Sequence, residues 1–276
     1  MRIDITDDPV AFRGRVAGFL NREPLRHTIM CTVVENLIGG LAPSEQPSYF
    51  ASVHETEVVG VAMCTAGRGV WLGELPDEVV PELAGRFAEV LPDIPDVVGS
   101  ASSAAAFAAE WDKLRGTTAR NGPVVERLYR LGRLHNPPAP GAPRPATEAD
   151  IELCRRWTAA MSREIREPTV ELSESALRAR IAKGRWWLWK IEDRPVSLTA
   201  HQVPAYGWTR IGPVYTPPEH RAHGYASALV AHVSRILLDT GTGVCLYADL
   251  ANPTSNKVYR ALGFEPVFDQ VHYVFG

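Results

Sequence analysis

Apolar and polar positions alternate in two ways along this chain, and the two periods separate strands from helices. In the first half the pattern predicts a helix over Glu23–Ile38 and strands over Tyr49–His54 and Val58–Thr65, with Glu55-Thr-Glu57 turning between them. Val70–Leu75 predicts a further strand, and Pro81–Val90 and Ala104–Leu114 predict helices. Val124–Leu134 fits either period. The second half is clearer. Helices are predicted over Glu148–Met161, with Thr147 as N-cap and Asp150 three residues on, and over Ser173–Lys183. Trp186–Ile191 and Val196–Val203 form a hairpin across Glu192-Asp-Arg-Pro195. A strand at Thr209–Thr216, a helix at Tyr225–Asp239, a strand at Val244–Leu250 and a short helix at Thr254–Leu262, stopped by Gly263, follow. Phe264–Phe268 and Val271–Phe275 predict a closing hairpin. Strands alternating with helices, some of them in hairpins, argue an α/β fold with a mixed sheet.

Between the halves lies Asn136-Pro-Pro-Ala-Pro-Gly-Ala-Pro-Arg-Pro145. Five prolines in ten residues exclude a helix or central strand and favour an extended connector. The expected organisation is therefore a domain over 1–135, a linker over 136–145 and a domain over 146–276.

Composition narrows the class. Of 276 residues, 45% are hydrophobic and 22% charged, enough apolar material for a core and unlike a disordered chain. The net charge of −3 argues against a whole-protein grip on nucleic acid or an anionic membrane. Residues 1–140 carry 13 Lys and Arg against 18 Asp and Glu, whereas 141–276 carry 16 against 14. That mild tilt suits a small polyanionic ligand in the second half. Cys31, Cys64, Cys154 and Cys245 lie far apart in apolar surroundings, which reads as buried thiols rather than a metal site. The start carries acidic residues and no apolar run, so no signal peptide is read, and no segment has the apolar length to cross a membrane. A cytoplasmic setting is the expectation.

Two stretches carry chemistry. In Ile211-Gly-Pro-Val-Tyr-Thr-Pro-Pro-Glu-His-Arg-Ala-His-Gly-Tyr-Ala226 a strand runs into prolines, and Arg221-x-x-Gly224-x-Ala226 then opens an amphipathic helix carrying Leu229, Val230, Val233, Ile236 and Leu237. A small-residue loop at a helix start presents free N–H groups and the positive end of the helix dipole, a cradle for pyrophosphate. Arg221 could add a charge-assisted bond. Neither G-K-[S/T] nor G-x-G-x-x-G is present, so nucleoside triphosphatase and dinucleotide readings are excluded. Further on, Asn252-Pro-Thr-Ser-Asn-Lys-Val-Tyr-Arg-Ala-Leu-Gly-Phe264 places Asn256 and Tyr259 on one helix face.

In these motifs the chain resembles the GCN5-related N-acetyltransferase superfamily, over about residues 145–276. The resemblance implies two such domains, each a mixed, mostly antiparallel sheet flanked by helices, with the fourth and fifth strands of the C-terminal one splayed around acetyl-CoA. Carried over, Val214, Tyr215 and Thr216 supply a strand edge for the pantetheine amides. Arg221, Ala222, His223, Gly224, Tyr225 and Ala226 form the pyrophosphate loop, and Asn252 and Asn256 hold the pantetheine arm. Tyr259 is the general acid for the departing thiolate, with no metal involved. Ala222 stands where the family often has glycine. The first half has no such loop at Gly67-Arg-Gly69 or Gly99-Ser-Ala101, so it is expected to be a degenerate copy.

The function implied is direct transfer of an acetyl group to a primary amine on a small molecule or peptide. The alternative is a CoA-binding regulatory or scaffold protein without turnover. His201 and Glu164 are candidates for a base and an amine-attracting acid, against plainer sheet and surface roles. His220 and His223 read as exposed loop residues, and Trp186, Trp187 and Trp189 as core. Neither the acceptor nor the choice between monomer and homodimer follows from the sequence.

Overall fold

A computed structural model describes residues 1–41, 46–165 and 173–276. The chain divides into two compact units. Unit 1 holds Met1–Leu128, Asp249–Ala251 and Phe268–Gly276; unit 2 holds Tyr129–Ala248 and Asn252–Val267. The division thus falls at Leu128/Tyr129 and not at the proline-rich stretch, and the last residues of the chain return to the first unit.

Unit 1 opens with β1 (Arg2–Thr6), α1 (Pro9–Arg22) and α2 (Thr28–Ile38). Next come β2 (Tyr49–His54), β3 (Val58–Cys64), β4 (Val70–Leu72), α3 (Val80–Val90), β5 (Asp96–Gly99), α4 (Ala101–Arg115), β6 (Ala119–Asn121) and β7 (Glu126–Leu131), whose last residues enter unit 2. The expected Glu23–Ile38 helix starts late, at Thr28, and β1 and α1 were not predicted. Asp8 caps α1 by accepting from the Val10 and Ala11 N–H groups, and Pro9 sits at its first position. The chain order β1-β2-β3 gives antiparallel pairs, whereas β4 and β5 run parallel, Val70 opposite Val97 and Trp71 opposite Val98. Val80, Leu83, Ala84 and Phe87 bury one face of α3. Phe87, Phe107 and Trp111 continue that core, with ring centroids 6.3 and 5.9 Å apart.

One buried histidine ties this unit together. His27 is 2% exposed; its Nδ1 faces the Glu23 carbonyl at 3.0 Å, and its Nε2 accepts from the Glu74 N–H at 3.1 Å. The accepting Nε2 requires the neutral ring, and burial holds the pKa down to about 4. The unfolded chain therefore takes up this proton first as pH falls. The stability that neutral His27 provides is complete above about pH 6.5 and is lost between there and pH 4, for a total of about 3 kcal/mol. Urea unfolding at pH 7 and pH 5 should show a loss of about 2 kcal/mol that disappears in His27→Gln. Equal losses in both proteins would assign the acid sensitivity elsewhere.

Unit 2 comprises β8 (Ala142–Pro145), α5 (Ile151–Ile165), α6 (Glu174–Ala182), β9 (Trp186–Ile191), β10 (Arg194–His201), β11 (Trp208–Tyr215), α7 (Tyr225–Asp239), β12 (Gly243–Asp249), α8 (Pro253–Ala261) and the start of β13 (Phe264–Phe275). Its strands follow the order β7-β12-β11-β10-β9-β8. The predicted 136–145 linker is corrected here, because its end is the edge strand β8, paired antiparallel to β9 from Ala142↔Lys190 to Pro145↔Trp187. Prolines are tolerated at an edge, where one side of the strand needs no donors. Arg144 then grips Asp150 with two bonds of 2.7 Å, and Asp150 accepts from the Thr147 N–H at 2.8 Å, fixing the strand to the start of α5. The Arg144 guanidinium holds the Asp150 carboxyl down to about 2. The expected closing hairpin is likewise one strand, β13, whose far end pairs with β5 and β6 in unit 1. Gly263 is required between α8 and β13: its φ is +96°, and a Cβ there would collide with the Arg133 carbonyl.

Candidate active site

The parallel register of β11 on β12 runs from Trp208↔Gly243 to Ile211↔Leu246. Beyond it, Gly212–Tyr215 and Tyr247–Ala248 continue without registering on each other. On its other side β11 stays on β10, with Leu198 opposite Tyr215 and Thr199 opposite Val214. A register shift precedes the His201↔Ile211 pair, and it coincides with Gly212 at φ +151° and a cis Gly212–Pro213 bond. The Thr199 hydroxyl donates to the Pro213 carbonyl at 3.0 Å, and the Gln202 amide donates to the Gly212 carbonyl at 3.2 Å. The bulged segment is therefore anchored to β10, and a wedge opens towards β12. Val214 and Tyr215 lie on that opening edge, and Thr216 ends it with its hydroxyl 2.9 Å from that of Ser197.

The chain leaves β11 through a short 3-10 turn, Pro218–His220, and enters α7 at Gly224. Gly224 has φ +80° and, lacking a side chain, caps nothing, so the first N–H groups of α7, on Tyr225, Ala226 and Ser227, face outwards. Ala222 also has positive φ, +65°, which explains why glycine would sit there more easily. His223 stacks on Tyr225 with centroids 5.3 Å apart and frames the loop. The arrangement is a concave set of backbone donors at the positive end of a 15-residue helix, and it fits a pyrophosphate.

Arg221 is placed differently from the expectation. Its guanidinium bonds the Glu164 carboxylate at 2.6 Å and the Thr216 carbonyl at 2.9 Å, and it lies over the Tyr215 ring. The Tyr215 hydroxyl donates to the other Glu164 oxygen at 3.1 Å. Arg221 thus latches the loop to α5, and Glu164 is spent on that latch rather than left to attract an amine. Asn256 faces inwards. It is 7% exposed, accepts from the Tyr129 hydroxyl at 2.7 Å and donates to the Asn252 carbonyl at 2.6 Å, so its amide fixes α8 from inside. Asn252 caps α8 through the Ser255 N–H at 3.1 Å and remains exposed.

Tyr259 shares the inward face of α8 with Asn256. It is 8% exposed, meets Phe264 edge-on at 6.0 Å and packs in the cluster that contains Val214, Leu246 and Ala248. Burial pushes its hydroxyl up to about 12, so it carries its proton at neutral pH. His201 turns its Nδ1 to the Gln202 carbonyl at 3.0 Å and is held below its ordinary pKa, chiefly by burial. The Trp186 and Trp189 rings are buried, and Trp189 donates to the Pro140 carbonyl, as core residues do.

Residues 191–274 match the family model described as FR47-like protein. Comparison with curated proteins gives no match. Among solved structures, the chain is similar to an acetyltransferase of the GNAT family from Colwellia psychrerythraea, with a TM-score of 0.63 and 11% identity over 100% of both chains. It is similar to a GCN5-related N-acetyltransferase from Sphaerobacter thermophilus, with a TM-score of 0.58 and 18% identity over 87% of this chain and 84% of that one. It is also similar to a tandem GNAT protein from the clavulanic acid biosynthesis pathway, with a TM-score of 0.56 and 13% identity over 99% and 98%.

This is the GCN5-related N-acetyltransferase fold. Within it, β8 to β12 are the first to fifth strands of unit 2, and the wedge is the expected splay of the fourth and fifth.

The GNAT-like topology also finds the equivalent place in unit 1. There β4 and β5 are the parallel pair and α3 is the helix between them. The counterpart of the phosphate loop is thus 73–79, not the Gly67–Gly69 or Gly99–Ala101 segments considered from sequence. That loop carries Glu74, Asp77 and Glu78, and the first turn of α3 contains Pro81 and Glu82. Carboxylates repel phosphate, and proline removes one of the N–H groups a cradle needs. A recess near the ends of β4 and β5, lined by Leu72, Gly73 and Ser100, measures about 10 Å³, the scale of a single water.

Sequence reasoning missed the outer face of α8. Thr254, Lys257, Val258 and Ala261 line a groove of about 500 Å³ with Ser227 of α7. The spacing of 254, 257, 258 and 261 signals a helix face opposite to 256 and 259. Among the described residues, no group of three or more His, Cys, Asp and Glu could hold a metal, and no helix is long and apolar enough to cross a membrane.

Proposed function

We propose that unit 2 is an acetyl-CoA-dependent N-acetyltransferase acting directly on a primary amine of a small molecule or peptide, and that unit 1 binds no CoA. The observation that carries this is the wedge between β11 and β12, opening onto a helix start capped only by Gly224. Acetyl-CoA supplies a thioester whose carbonyl is open to attack. The N–H groups of Tyr225, Ala226 and Ser227 would hold its pyrophosphate. The free edge of β11 at Val214 and Tyr215 would pair with the pantetheine amides as an added strand, and backbone donors on this edge would hold charge developing on the carbonyl oxygen. The groove between Ser227 and α8 offers room for the remaining nucleotide part.

Tyr259 would donate its proton to the sulfur as the C–S bond breaks and the new C–N bond forms. The amine attacks as the free base and gives up its own proton to water. A free thiol has a pKa of about 8.5, well below Tyr259. The burial that lifts Tyr259 also lifts a thiolate formed beside it, which narrows the gap. Asn256 and the Tyr129 hydroxyl hold α8 so that Tyr259 keeps its place.

Calorimetric titration of the whole chain with acetyl-CoA tests the reading. One site per chain is expected, followed by CoA release on adding amines from a panel. Two sites would overturn the assignment of unit 1, and no binding would overturn the proposal.

A further inference from the structure

The groove on the outer face of α8 adjoins the helix-start cradle, and the chemistry of its lining is uneven. Thr254, Lys257, Val258 and Ala261 form one stripe of α8 at helical spacing, and Ser227 of α7 closes the other side. Ser227 belongs to both places. Its N–H is among the first three of α7, and the residue lines the groove. The groove therefore begins where the cradle ends. Its volume of about 500 Å³ exceeds what a pyrophosphate needs and accommodates a nucleoside. Pro253, Val258 and Ala261 offer apolar surface to a flat ring. Among the described residues lining the groove, Lys257 is the one charged group, and none is acidic.

The turn that carries Lys257 is anchored from behind. Asn252 caps α8 by accepting from the Ser255 N–H at 3.1 Å. Asn256, on the inward face, donates to the Asn252 carbonyl at 2.6 Å and accepts from the Tyr129 hydroxyl at 2.7 Å. The next residue, Lys257, is exposed on the outward face. The backbone beneath it is thus fixed, and only the side chain has to be ordered when a ligand arrives.

What Lys257 meets follows from the charges of the donor, a step that rests on the acetyl-CoA reading of the wedge. CoA carries a pyrophosphate, a neutral adenine and a phosphate monoester on the ribose 3′-oxygen. The cradle would take the pyrophosphate. With the nucleoside continuing past Ser227, the 3′-phosphate is the anion left for the groove. A lysine ammonium is a compact point charge that pairs with phosphate oxygens without the planar match a guanidinium makes. We propose that Lys257 binds the 3′-phosphate of acetyl-CoA, so that the protein selects the complete CoA thioester over donors lacking this group. The contact is solvent-exposed and at the opposite end of the donor from the sulfur. It sets donor affinity, and added salt weakens it.

The test is calorimetric titration of the full chain with acetyl-CoA and with acetyl-dephospho-CoA, which differ in the 3′-phosphate alone. The parent should bind acetyl-CoA roughly three- to tenfold more tightly, the range for one partly exposed charge-assisted bond. Raising sodium chloride should shrink that ratio. Lys257→Gln should bring it close to unity, and Lys257→Arg should retain it. Thermal melts of both variants should match the parent, since the side chain is exposed. A lysine needed only to support α8 would lower both affinities together and leave the ratio as it was. Equal binding of the two donors by the parent, or a preference that persists in Lys257→Gln, would overturn this inference and leave the acetyl-CoA reading intact. Binding of neither donor would overturn that reading and this inference with it.

Discussion

Replacing Gly224 with glutamate should lower acetyl-CoA affinity by at least about 100-fold, or ~3 kcal/mol, while unit 2 stays folded. The reasoning begins at the backbone. Gly224 has φ +80°, and its absent side chain is what leaves the first N–H groups of α7 open. A glutamate there places a carboxylate where the phosphates would lie, so the chain competes with its own ligand for the same donors. Charge-assisted bonds of this kind contribute roughly 1.5–3 kcal/mol each, and losing two of them accounts for the expected drop. The fold should tolerate the change. The atoms nearest to an added Cβ are those of Pro138 and Ala139 at 3.9 Å, and an acidic group at a helix N-terminus is favourable. The left-handed φ costs roughly 1–2 kcal/mol. Gly224→Ala isolates that strain: it should weaken binding only by the few-fold that a strained loop implies. Calorimetry with acetyl-CoA and a thermal melt of each variant separate the two terms. Retained affinity in the glutamate variant would place the phosphates elsewhere.

The residues that carried the sequence reading were those whose local pattern and tertiary role coincide. The helix Tyr225–Asp239 and the strands Tyr49–His54 and Trp186–Ile191 have the bounds read from the sequence; the helix buries one stripe, and Phe50 to Val53 are buried on both faces of their strand. Periodicity failed where burial is shared differently. Gly14 and Gly18 lower the helix propensity of α1 from its exposed face, although Phe12, Val16, Phe19 and Leu20 form a continuous buried stripe on the other. The prolines of Ala142–Pro145 hide an edge strand, since an edge needs fewer donors than a central strand. At the site, spacing shows that Asn256 and Tyr259 share a face but not that this face points inwards, and that direction decides whether Asn256 meets ligand or protein. The Arg221–Glu164 bond joins residues 57 positions apart, beyond any local pattern. The acidic loop of unit 1 becomes visible only once the strand order shows that it replaces the phosphate loop.

Replacing Tyr259 with phenylalanine should reduce kcat roughly 10- to 10³-fold while acetyl-CoA affinity and the melting temperature hardly change. The hydroxyl is a small part of a side chain whose ring packs against Phe264 and the Val214–Leu246–Ala248 cluster, and phenylalanine preserves those contacts. What is lost is the proton donor. At neutral pH that donor is fully loaded, because burial holds the hydroxyl up to about 12. A group with an ordinary carboxylate or imidazole pKa would be partly empty where the amine is unprotonated. Tyrosine keeps its proton throughout the range in which the attacking amine becomes a free base. Activity of the parent protein should therefore rise with pH as the amine loses its proton, without a fall from the acid below about pH 10. In Tyr259→Phe the rise should persist at a lower plateau, since the amine still titrates and only the protonation of sulfur is impaired. A structural role predicts something different: a lower melting temperature, weaker acetyl-CoA binding, or both. Unchanged kcat would remove Tyr259 from the reaction and leave the thiolate to be protonated by water in the open wedge.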